Sequence, residues 1–336
     1  MKKLFGLAGL FLLIASMARG QQKFVFERPE MGSPFTISIY GTDSATAAKA
    51  AAAAFRLADT LNGSLSDYID SSEINRLSAT SGQGRYVAVS PPLFGILRRS
   101  LEAARLSKGS YDISIGPVVR LWRQARKTHV FPDADTLRTA LGRTGYRYIH
   151  LDTIHHSVWL EKPGMRLDVG GLGKGFVAQA TLELLRGYGF DQAMVNAGGK
   201  IVTGTAPPGK QGWLIGINAP EEKEEILSRL LMLHNIAVAT SGDIYQYVDF
   251  GGRRYSHIVN PRTGIGLTHS RNVTAIAADG TTADWLATAC SILSLHQSLR
   301  LIRHLPGTAL LITEKRKGGS GLYQVSSSNF KNYLQN

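Results

Sequence analysis

A glycine-rich segment is the first candidate for a ligand-binding site in the sequence. Residues 167–175 read Leu-Asp-Val-Gly-Gly-Leu-Gly-Lys-Gly and predict a strand, a tight turn and the start of a helix. Such a turn presents backbone N–H groups to an anion, and Lys174 adds a positive charge beside them. The segment is not a P-loop, because Asp168 and Gly175 stand where that motif needs Gly and Ser or Thr. It predicts either a phosphate site or a turn that serves packing alone.

Three polar residues near the C-terminus offer a base and two oxygen ligands. His257 precedes a Pro/Gly turn at a predicted strand end, where a single His is either structural or a general base. Asp284 and Thr288 are four residues apart on a predicted helix, so they share one face. Their oxygens suit Mg²⁺, which takes about six oxygen ligands. The alternative is that Asp284 is an acid in the first helical turn and Thr288 packs in the core.

Length and composition exclude several classes of protein. The chain has 336 residues, of which 43% are hydrophobic and 19% are charged, and it has one cysteine. A chain of this length and hydrophobicity can bury a large core, which excludes a disordered protein. One cysteine excludes an intrachain disulfide and a cysteine-rich zinc site. No run of 18 apolar residues follows residue 20, so no membrane span is predicted in the mature chain.

Residues 1–20 predict a secretory signal peptide. Two lysines precede an apolar run at residues 4–15, and small residues allow cleavage after Ala18 or Gly20. The alternative is an N-terminal anchor helix, for which this run is short. No cysteine follows the run, which excludes lipid attachment there. We therefore expect export to the periplasm or to the outer face of the inner membrane, with residues 21–336 as the mature domain.

The positive charge of the chain limits its partners. The formal net charge is +13, and +10 remains when the three basic residues of the signal peptide are removed. We expect no binding to nucleic acid, because the chain is exported and its basic residues form no compact run. Anionic phosphates remain as ligands, and an anionic membrane surface remains open to peripheral association. A second glycine pair, at 198–199, follows another predicted strand, so the two turns together favour a diphosphate ligand.

The sequence predicts a mixed pattern of helices and strands around these residues. Helices are predicted over residues 43–61 with Gly63 as the stop, over 90–107, from the glycine-rich turn to 186, over 221–230 and over 284–294. Strands are predicted within 23–40 as a hairpin, within 148–160 as a pair, at 165–169, 192–203, 213–218, 273–277, 308–313 and 322–325, and around Val238, Tyr247 and Ile258. Strict βαβ alternation and Pro/Ser-rich linkers are absent from the sequence, so we expect one compact α+β domain.

Seven groups of segments occur in the order that is typical of one family. They are residues 65–68 with 70–74, 111–119 with 121–122, 167–175, 195–199, 237–243, 256–264 and 283–288. Together they resemble the ApbE family of flavin transferases, the FAD:protein FMN transferases. The resemblance extends from Met31 to the C-terminal strands. It implies a fold of the T-fold type with a flavin-binding cleft, and it agrees with export, because members of this family are typically exported.

The resemblance implies a reaction and a set of site residues. FAD is the implied substrate: its diphosphate is cleaved with Mg²⁺, FMN is attached through a phosphoester to a Thr of a target protein, and AMP is released. The implied metal ligands are the Gly171 carbonyl, Asp284 and Thr288, and His257 is the implied base for the Thr hydroxyl. The implied FAD contacts are Met31, Tyr68, Ser110, Tyr111, Asp112, Asp168, Lys174 and Val259. Phosphoryl-type transfer depends mainly on positioning and charge neutralisation, and these residue types can supply both.

The implied partner is an exported or membrane protein with a flavinylation-type Thr. By resemblance it is a subunit of an ion-translocating NADH:quinone oxidoreductase, of an Rnf-type complex or of an exported flavin reductase. For Tyr68 and Tyr111, two roles stay open: stacking on a flavin or adenine ring, or packing in the core.

The chain departs from the family pattern at three positions. Lys200 and Asn260 stand where acids are common, and Ala287 stands where some members have a further Asp. Two other functions stay open. One is a periplasmic FAD pyrophosphatase that yields FMN and AMP, because the acceptor is external to this sequence. The other is a flavin-binding protein without turnover, which the departures at Lys200 and Asn260 support.

Overall fold

Helices and strands follow one another along the chain in a mixed order. The computed structural model describes residues 20–218, 226–242, 247–315 and 321–335. The α-helices in these ranges are α1 (Ser44–Leu65), α2 (Glu73–Ala79), α3 (Pro91–Leu106), α4 (Gly116–Thr128), α5 (Ala134–Gly142), α6 (Gly173–Gly187), α7 (Gly280–Ile292) and α8 (Leu295–Arg303). The strands are β1 (Gln22–Glu30), β2 (Ser33–Gly41), β3 (Val87–Ala88), β4 (Ile149–Asp152), β5 (Ser157–Leu160), β6 (Ala193–Ala197), β7 (Lys200–Thr203), β8 (Trp213–Asn218), β9 (Ile226–Leu233), β10 (Ala237–Ser241), β11 (Tyr247–Phe250), β12 (Arg253–Ser256), β13 (Arg271–Ala277), β14 (Ala309–Lys315) and β15 (Leu322–Ser326).

An eight-stranded sheet forms the centre of the molecule. Its order is β1-β2-β6-β7-β10-β13-β14-β15, and all neighbouring strands are antiparallel. Helices α1, α6 and α7 pack on one face, while β8, β9 and the C-terminal segment cover part of the other. Successive side chains of a strand point to opposite faces, so a strand that is covered on both faces buries both sets of its side chains. Accordingly, Val238 and Ile276 pack under β8 and β9, whereas Ala239 and Ala275 face the helices.

The fold confirms the predicted α+β class and most of the predicted elements. The first hairpin, the helix at 90–107 and the paired strands within 148–160 lie where the sequence predicts them. The predicted caps also form, since Asp43 Oδ2 accepts a hydrogen bond from the N–H of Thr46 at 2.8 Å. No helix in the described ranges combines the length and the hydrophobicity that crossing a bilayer requires. Except for Gly20, the predicted signal peptide lies outside the described residues.

The predicted helix over residues 221–230 is wrong. Residues 221–225 lie outside the described ranges, and the chain from Ile226 onward forms β9, which pairs antiparallel with β8. Leu231 and Leu233 alternate inward and are buried under the sheet. In the described part, residues 226–230, strand pairing therefore replaces the predicted helix, because tertiary packing outweighs intrinsic propensity.

Three smaller predictions also differ from the structure. Gly63 does not end α1, because Leu61 and Leu65 both contact the core and extend the helix past it. Residues 165–169 form only an isolated parallel bridge, between Arg166 and Ile115, instead of a strand. Ile258 lies outside the strands, in the segment that follows β12.

Candidate active site

All twelve residues that the family resemblance implicates line one cavity of about 640 Å³. They are Met31, Tyr68, Ser110, Tyr111, Asp112, Asp168, Gly171, Lys174, His257, Val259, Asp284 and Thr288. Six parts of the chain bring them together: the β1–β2 turn, the loop after α1, the loop before α4, the glycine-rich turn and start of α6, the segment after β12, and α7. The individual roles of these residues stay predictions.

The contact between α6 and α7 fixes the position of Asp284. A Cβ atom at Gly175 would lie 2.1 Å from the carbonyl oxygen of Gly280, and one at Gly280 would lie 2.5 Å from that of Gly175. Because only glycine fits on both sides, the helices meet backbone to backbone. At this contact the N–H of Gly175, in the first turn of α6, donates to Asp284 Oδ2 at 3.0 Å. The carboxylate thus binds an N–H that the helix itself cannot satisfy, and the residue is 1% exposed.

Two further residues with oxygen atoms, Thr288 and Gly171, line the same cavity as this carboxylate. Thr288 follows Asp284 by one turn on the same face of α7, and its hydroxyl donates to the carbonyl oxygen of Gly171 at 3.1 Å. The alternative reading of Asp284, as an acid in the first helical turn, is wrong. Asp279 is the N-cap of α7 and accepts from the N–H of Thr282 at 2.9 Å, which places Asp284 one turn further into the helix.

The three oxygen donors fit Mg²⁺. Carboxylate, carbonyl and hydroxyl oxygens are the hard ligands that Mg²⁺ prefers, and a single carboxylate leaves coordination positions for phosphate oxygens and water. In the described ranges, no group of three His, Cys, Asp or Glu side chains could hold a metal alone. The arrangement therefore suits a metal that is shared with a bound diphosphate.

Two lysines place positive charge on the cavity wall. Lys174 Nζ donates to Ser33 Oγ at 2.9 Å. Lys200 Nζ donates to the carbonyl oxygen of Thr240 at 2.6 Å and lies 3.8 Å from Asp284 Oδ1. Burial lowers the pKa of Lys174, and repulsion by the charge of Lys200 lowers it further. Burial raises the pKa of Asp284, while attraction by the charge of Lys200 opposes this rise. Lys200, which departs from the family pattern, lines the same cavity as Lys174.

Arg123 connects three residues of the cavity wall. Its Nη2 donates to Asp168 Oδ2 at 2.9 Å, its guanidinium also pairs with Asp67, and its Cζ lies 3.9 Å from the centre of the Tyr68 ring. Burial and the charge of Asp67 raise the pKa of Asp168 to about 6, while Arg123 and the N–H of Gly170 oppose the rise. The arginine therefore fixes both the carboxylate of Asp168 and the ring of Tyr68.

Arg123 and Arg126 line the cavity from α4, and no sequence prediction covers them. The sequence does contain a pattern that indicates α4, because Val118, Trp122 and Ala125 recur at helical spacing, and all three are buried in the structure. This periodicity predicts a helix on which the two arginines, three residues apart, lie on one face.

The two tyrosines of the cavity have different surroundings. Tyr68 is 71% exposed, so its ring retains surface for a planar ligand beside Arg123. Tyr111 is buried, and a Cβ atom at Gly171 would lie 3.0 Å from its ring. Its hydroxyl is 3.4 Å from Ser100 Oγ, and burial raises its pKa well above the ordinary value. Tyr111 therefore packs in the core beside Gly171, whereas most of the Tyr68 side chain is exposed.

The loop before α4 is held by Asp112. Its Oδ1 accepts from the N–H and the hydroxyl of Ser114 at 2.9 and 2.7 Å, and its Oδ2 accepts from the N–H of Tyr146 at 3.0 Å. Burial raises the pKa of this carboxyl against these hydrogen bonds. The carboxylate thus maintains the shape of the loop, which places the buried Ser110 on the cavity wall.

His257 is half-buried in the cavity wall, directly after β12. The turn that follows it is held by Asn260, whose Oδ1 accepts from the N–H of Arg262 at 2.9 Å and whose carbonyl accepts from the N–H of Gly264 at 2.8 Å. Trp122 Nε1 donates to the Gly264 carbonyl at 2.7 Å. An aspartate would accept the same side-chain bond, so the departure at Asn260 preserves the turn.

Comparisons with known proteins agree with this fold. A protein named FAD:protein FMN transferase from Treponema pallidum is 32% identical over 256 residues, 72% of this chain and 70% of its own. One of the same name from Klebsiella pneumoniae is 29% identical over 289 residues, 85% of this chain and 88% of its own. The flavin transferase ApbE from Vibrio cholerae matches the fold with a TM-score of 0.83 at 24% identity, over 94% of this chain and all of its own. The model of the ApbE family matches residues 31–312, and the chain belongs to this family.

Proposed function

We propose that the protein cleaves the diphosphate of FAD and attaches FMN through a phosphoester to a Thr of a target protein, with release of AMP. One observation carries the proposal. A single cavity combines three oxygen donors that suit Mg²⁺, two lysines that suit phosphate, an exposed tyrosine that suits a ring, and His257. The names of the relatives support the same activity.

The residues of the cavity divide into two groups in this proposal. Asp284, Thr288 and the Gly171 carbonyl would hold Mg²⁺, which when bound supplies positive charge that stabilises the phosphate oxygens. Lys174 binds the diphosphate from the start of α6, where the helix N-terminus also favours an anion. Tyr68, steadied by Arg123, stacks on one ring system of FAD.

His257 is the base in the proposed transfer. It accepts the proton of the target Thr hydroxyl, and the hydroxyl oxygen forms a bond to the phosphorus on the FMN side. The bond from that phosphorus to the bridging oxygen breaks, and AMP leaves with the electron pair. A Thr hydroxyl is a weak nucleophile at neutral pH, and a histidine has the pKa range to activate it.

We further propose that the protein acts after export. The signal peptide pattern at residues 1–20 supports a periplasmic location or the outer face of the inner membrane. Its targets are then exported or membrane proteins, such as subunits of ion-translocating NADH:quinone oxidoreductases, Rnf-type complexes or flavin reductases. The positive net charge supports peripheral association with an anionic membrane surface. Fractionation of cells that express the full chain tests this location, and a purely cytoplasmic protein of unprocessed mass would contradict it.

Mass spectrometry tests the reaction directly. The mature chain is incubated with FAD, Mg²⁺ and an acceptor peptide that carries a flavinylation-type Thr. We expect a gain of one FMN unit on that Thr together with release of AMP, and EDTA should block both. Free FMN and AMP without a modified acceptor, also when whole target proteins replace the peptide, would favour a pyrophosphatase. FAD that stays bound and intact would indicate a flavin-binding protein.

Asp284→Ala tests the metal site within the same assay. The variant should lose Mg²⁺-dependent AMP release but keep much of its affinity for FAD, because the ring contacts lie on other segments. Asp191→Ala, a change at an exposed aspartate outside the cavity, is the matched control. Unchanged turnover in Asp284→Ala would exclude the metal role.

A further inference from the structure

Lys200 holds a positive charge against the one carboxylate of the predicted metal ligands. Its Nζ lies 3.8 Å from Asp284 Oδ1, and its side chain is 15% exposed. The hydrogen bond from Nζ to the Thr240 carbonyl, at 2.6 Å, anchors the ammonium group on the neighbouring strand β10. The other carboxylate oxygen, Oδ2, accepts from the N–H of Gly175. Both oxygens of Asp284 therefore face positive partners supplied by the chain itself.

The charges in this corner favour an anion over a free cation. Lys174 and Lys200 both act electrostatically on Asp284, so two positive charges oppose one negative charge. A divalent cation that enters alone is repelled by two ammonium groups in a buried site, where such repulsion is stronger than in water. A diphosphate with two negative charges is attracted by the same groups. Its arrival makes the corner net negative, and a divalent cation is then attracted.

We propose that Lys200 makes metal binding at Asp284 depend on the diphosphate ligand. Lys200 stabilises the Asp284 carboxylate while the site is without metal, and it lowers the affinity for a free divalent cation. Once a diphosphate is present, the cation binds together with it. The inference rests on the proposed function only for the identity of that diphosphate as FAD, and ADP can serve as the probe.

Electron paramagnetic resonance of Mn²⁺ with the mature chain tests the proposal. Without ADP, we expect Lys200→Met to bind Mn²⁺ at least about tenfold more tightly than the unmodified chain. With saturating ADP, corrected for the Mn²⁺ that ADP binds alone, the unmodified chain should gain at least about tenfold in Mn²⁺ affinity. In EDTA, Lys200→Met should bind ADP more weakly than the unmodified chain, by about tenfold.

Two variants separate charge from other effects of the substitution. Lys200→Arg keeps the positive charge and should resemble the unmodified chain in Mn²⁺ affinity. Lys210→Met removes one exposed lysine outside the cavity, so it controls for overall charge. Should Lys200→Met fail to fold by circular dichroism, Lys200→Gln retains a donor for the Thr240 carbonyl and allows the same comparison.

The outcomes that overturn the proposal do not depend on flavin transfer. Equal Mn²⁺ affinity of the unmodified chain and Lys200→Met without ADP would exclude the role of Lys200. Mn²⁺ affinity that ADP leaves unchanged would exclude the dependence on a diphosphate. A chain that shows both expected Mn²⁺ effects but transfers no FMN would support the inference and contradict the proposed function alone.

Discussion

At the scale of single residues, His257 should affect the transfer step more than the binding of FAD. It lines the cavity beside the segment at 259–261, while the exposed ring and the lysines that suit FAD belong to other segments. Loss of a general base slows a reaction by about 10² to 10⁴-fold. We therefore expect His257→Ala to reduce single-turnover flavinylation by this amount, with an FAD affinity within about threefold of the unmodified chain. His304→Ala, at an exposed helix end, is the control. Equal losses of transfer and affinity would indicate a binding role.

Asp168 should make stability fall as pH rises through the weakly acidic range. Burial raises its pKa from 3.8 to about 6, so the folded chain keeps a proton that the unfolded chain loses. The stability from this residue is therefore fully present below pH 4 and is lost by about pH 6. The side chain of the Asp168→Asn variant cannot ionise. From about pH 4 to pH 6, the free energy of unfolding of the unmodified chain should therefore fall by about 3 kcal/mol relative to that of Asp168→Asn.

Urea unfolding from pH 4 to pH 7 measures this difference in the free energy of unfolding. Asp191→Asn, at an exposed aspartate, should differ from the unmodified chain by a constant amount over the same range. A constant difference for Asp168→Asn as well would show that its carboxyl does not titrate as its burial predicts.

The sequence indicates site residues well when their own type reveals the chemistry. Lys174, His257 and Asp284 were accessible to prediction because a cation, a base and an oxygen ligand stand in recognisable segments. Arg123 and Lys200 were not assigned roles, because their importance depends on partners distant in sequence. Arg123 acts on Asp168, 45 residues away, and Lys200 at the start of β7 acts on Asp284 in α7. Such pairings appear only once the chain is folded.

At the scale of elements, local signals were sufficient where they agreed with tertiary packing. The caps at Asp43 and Ser90 and the alternation of the first hairpin predict their elements correctly. The helix predicted at residues 226–230 is wrong, since pairing with β8 decides the conformation of that segment. The prediction that α1 ends at Gly63 is wrong for a similar reason, because the buried residues Leu61 and Leu65 on either side keep Gly63 helical. A glycine or a charge run is thus a weak signal when neighbouring apolar residues reach a core.

The α6–α7 contact predicts a sharp difference between two glycines of one helix. Gly175→Ala would place a methyl group 2.1 Å from the Gly280 carbonyl oxygen and 2.8 Å from the Cβ of Asp284. The helices must separate, which should cost about 1–3 kcal/mol of stability and displace the carboxylate from its predicted metal position. Thermal unfolding and Mn²⁺ binding in the presence of ADP measure the two effects.

Gly187 at the other end of α6 provides the matched control. Nothing lies within 4 Å of a Cβ atom there, so Gly187→Ala should be neutral or stabilising by about 0.5–1 kcal/mol. If both variants behaved alike, the close contact would not be what positions Asp284.

At the scale of the whole molecule, the cavity depends on an arrangement that no single segment specifies. Antiparallel pairing places β6 beside β2 and β10 beside β13, which brings the β1–β2 turn, α6 and α7 to one end of the site. The pairing order follows from contacts distant in sequence, so hydrophobic patterns alone predict the class and not the order. The family resemblance implied a type of fold with a flavin-binding cleft, which hydrophobic patterns alone do not specify, but it gave no strand order.

The overall charge should speed the encounter with FAD. The formal net charge of the mature chain is +10, which is the +13 of the full chain less the three basic residues of the predicted signal peptide. Arg123, Arg126, Lys174 and Lys200 line the cavity together with four aspartates, so the attraction comes from the charge of the whole chain. A protein with a positive net charge attracts an anionic ligand over a distance that salt shortens, from about 30 Å at 0.01 M to about 3 Å at 1 M. We expect the stopped-flow association rate of FAD with the mature chain to fall at least about tenfold over this range.

Riboflavin has the same ring system but no phosphate, so its association rate should stay nearly constant. A similar salt dependence for both ligands would mean that salt acts on the rings or on the protein. A constant rate for FAD would mean that the lysines hold the diphosphate only after contact.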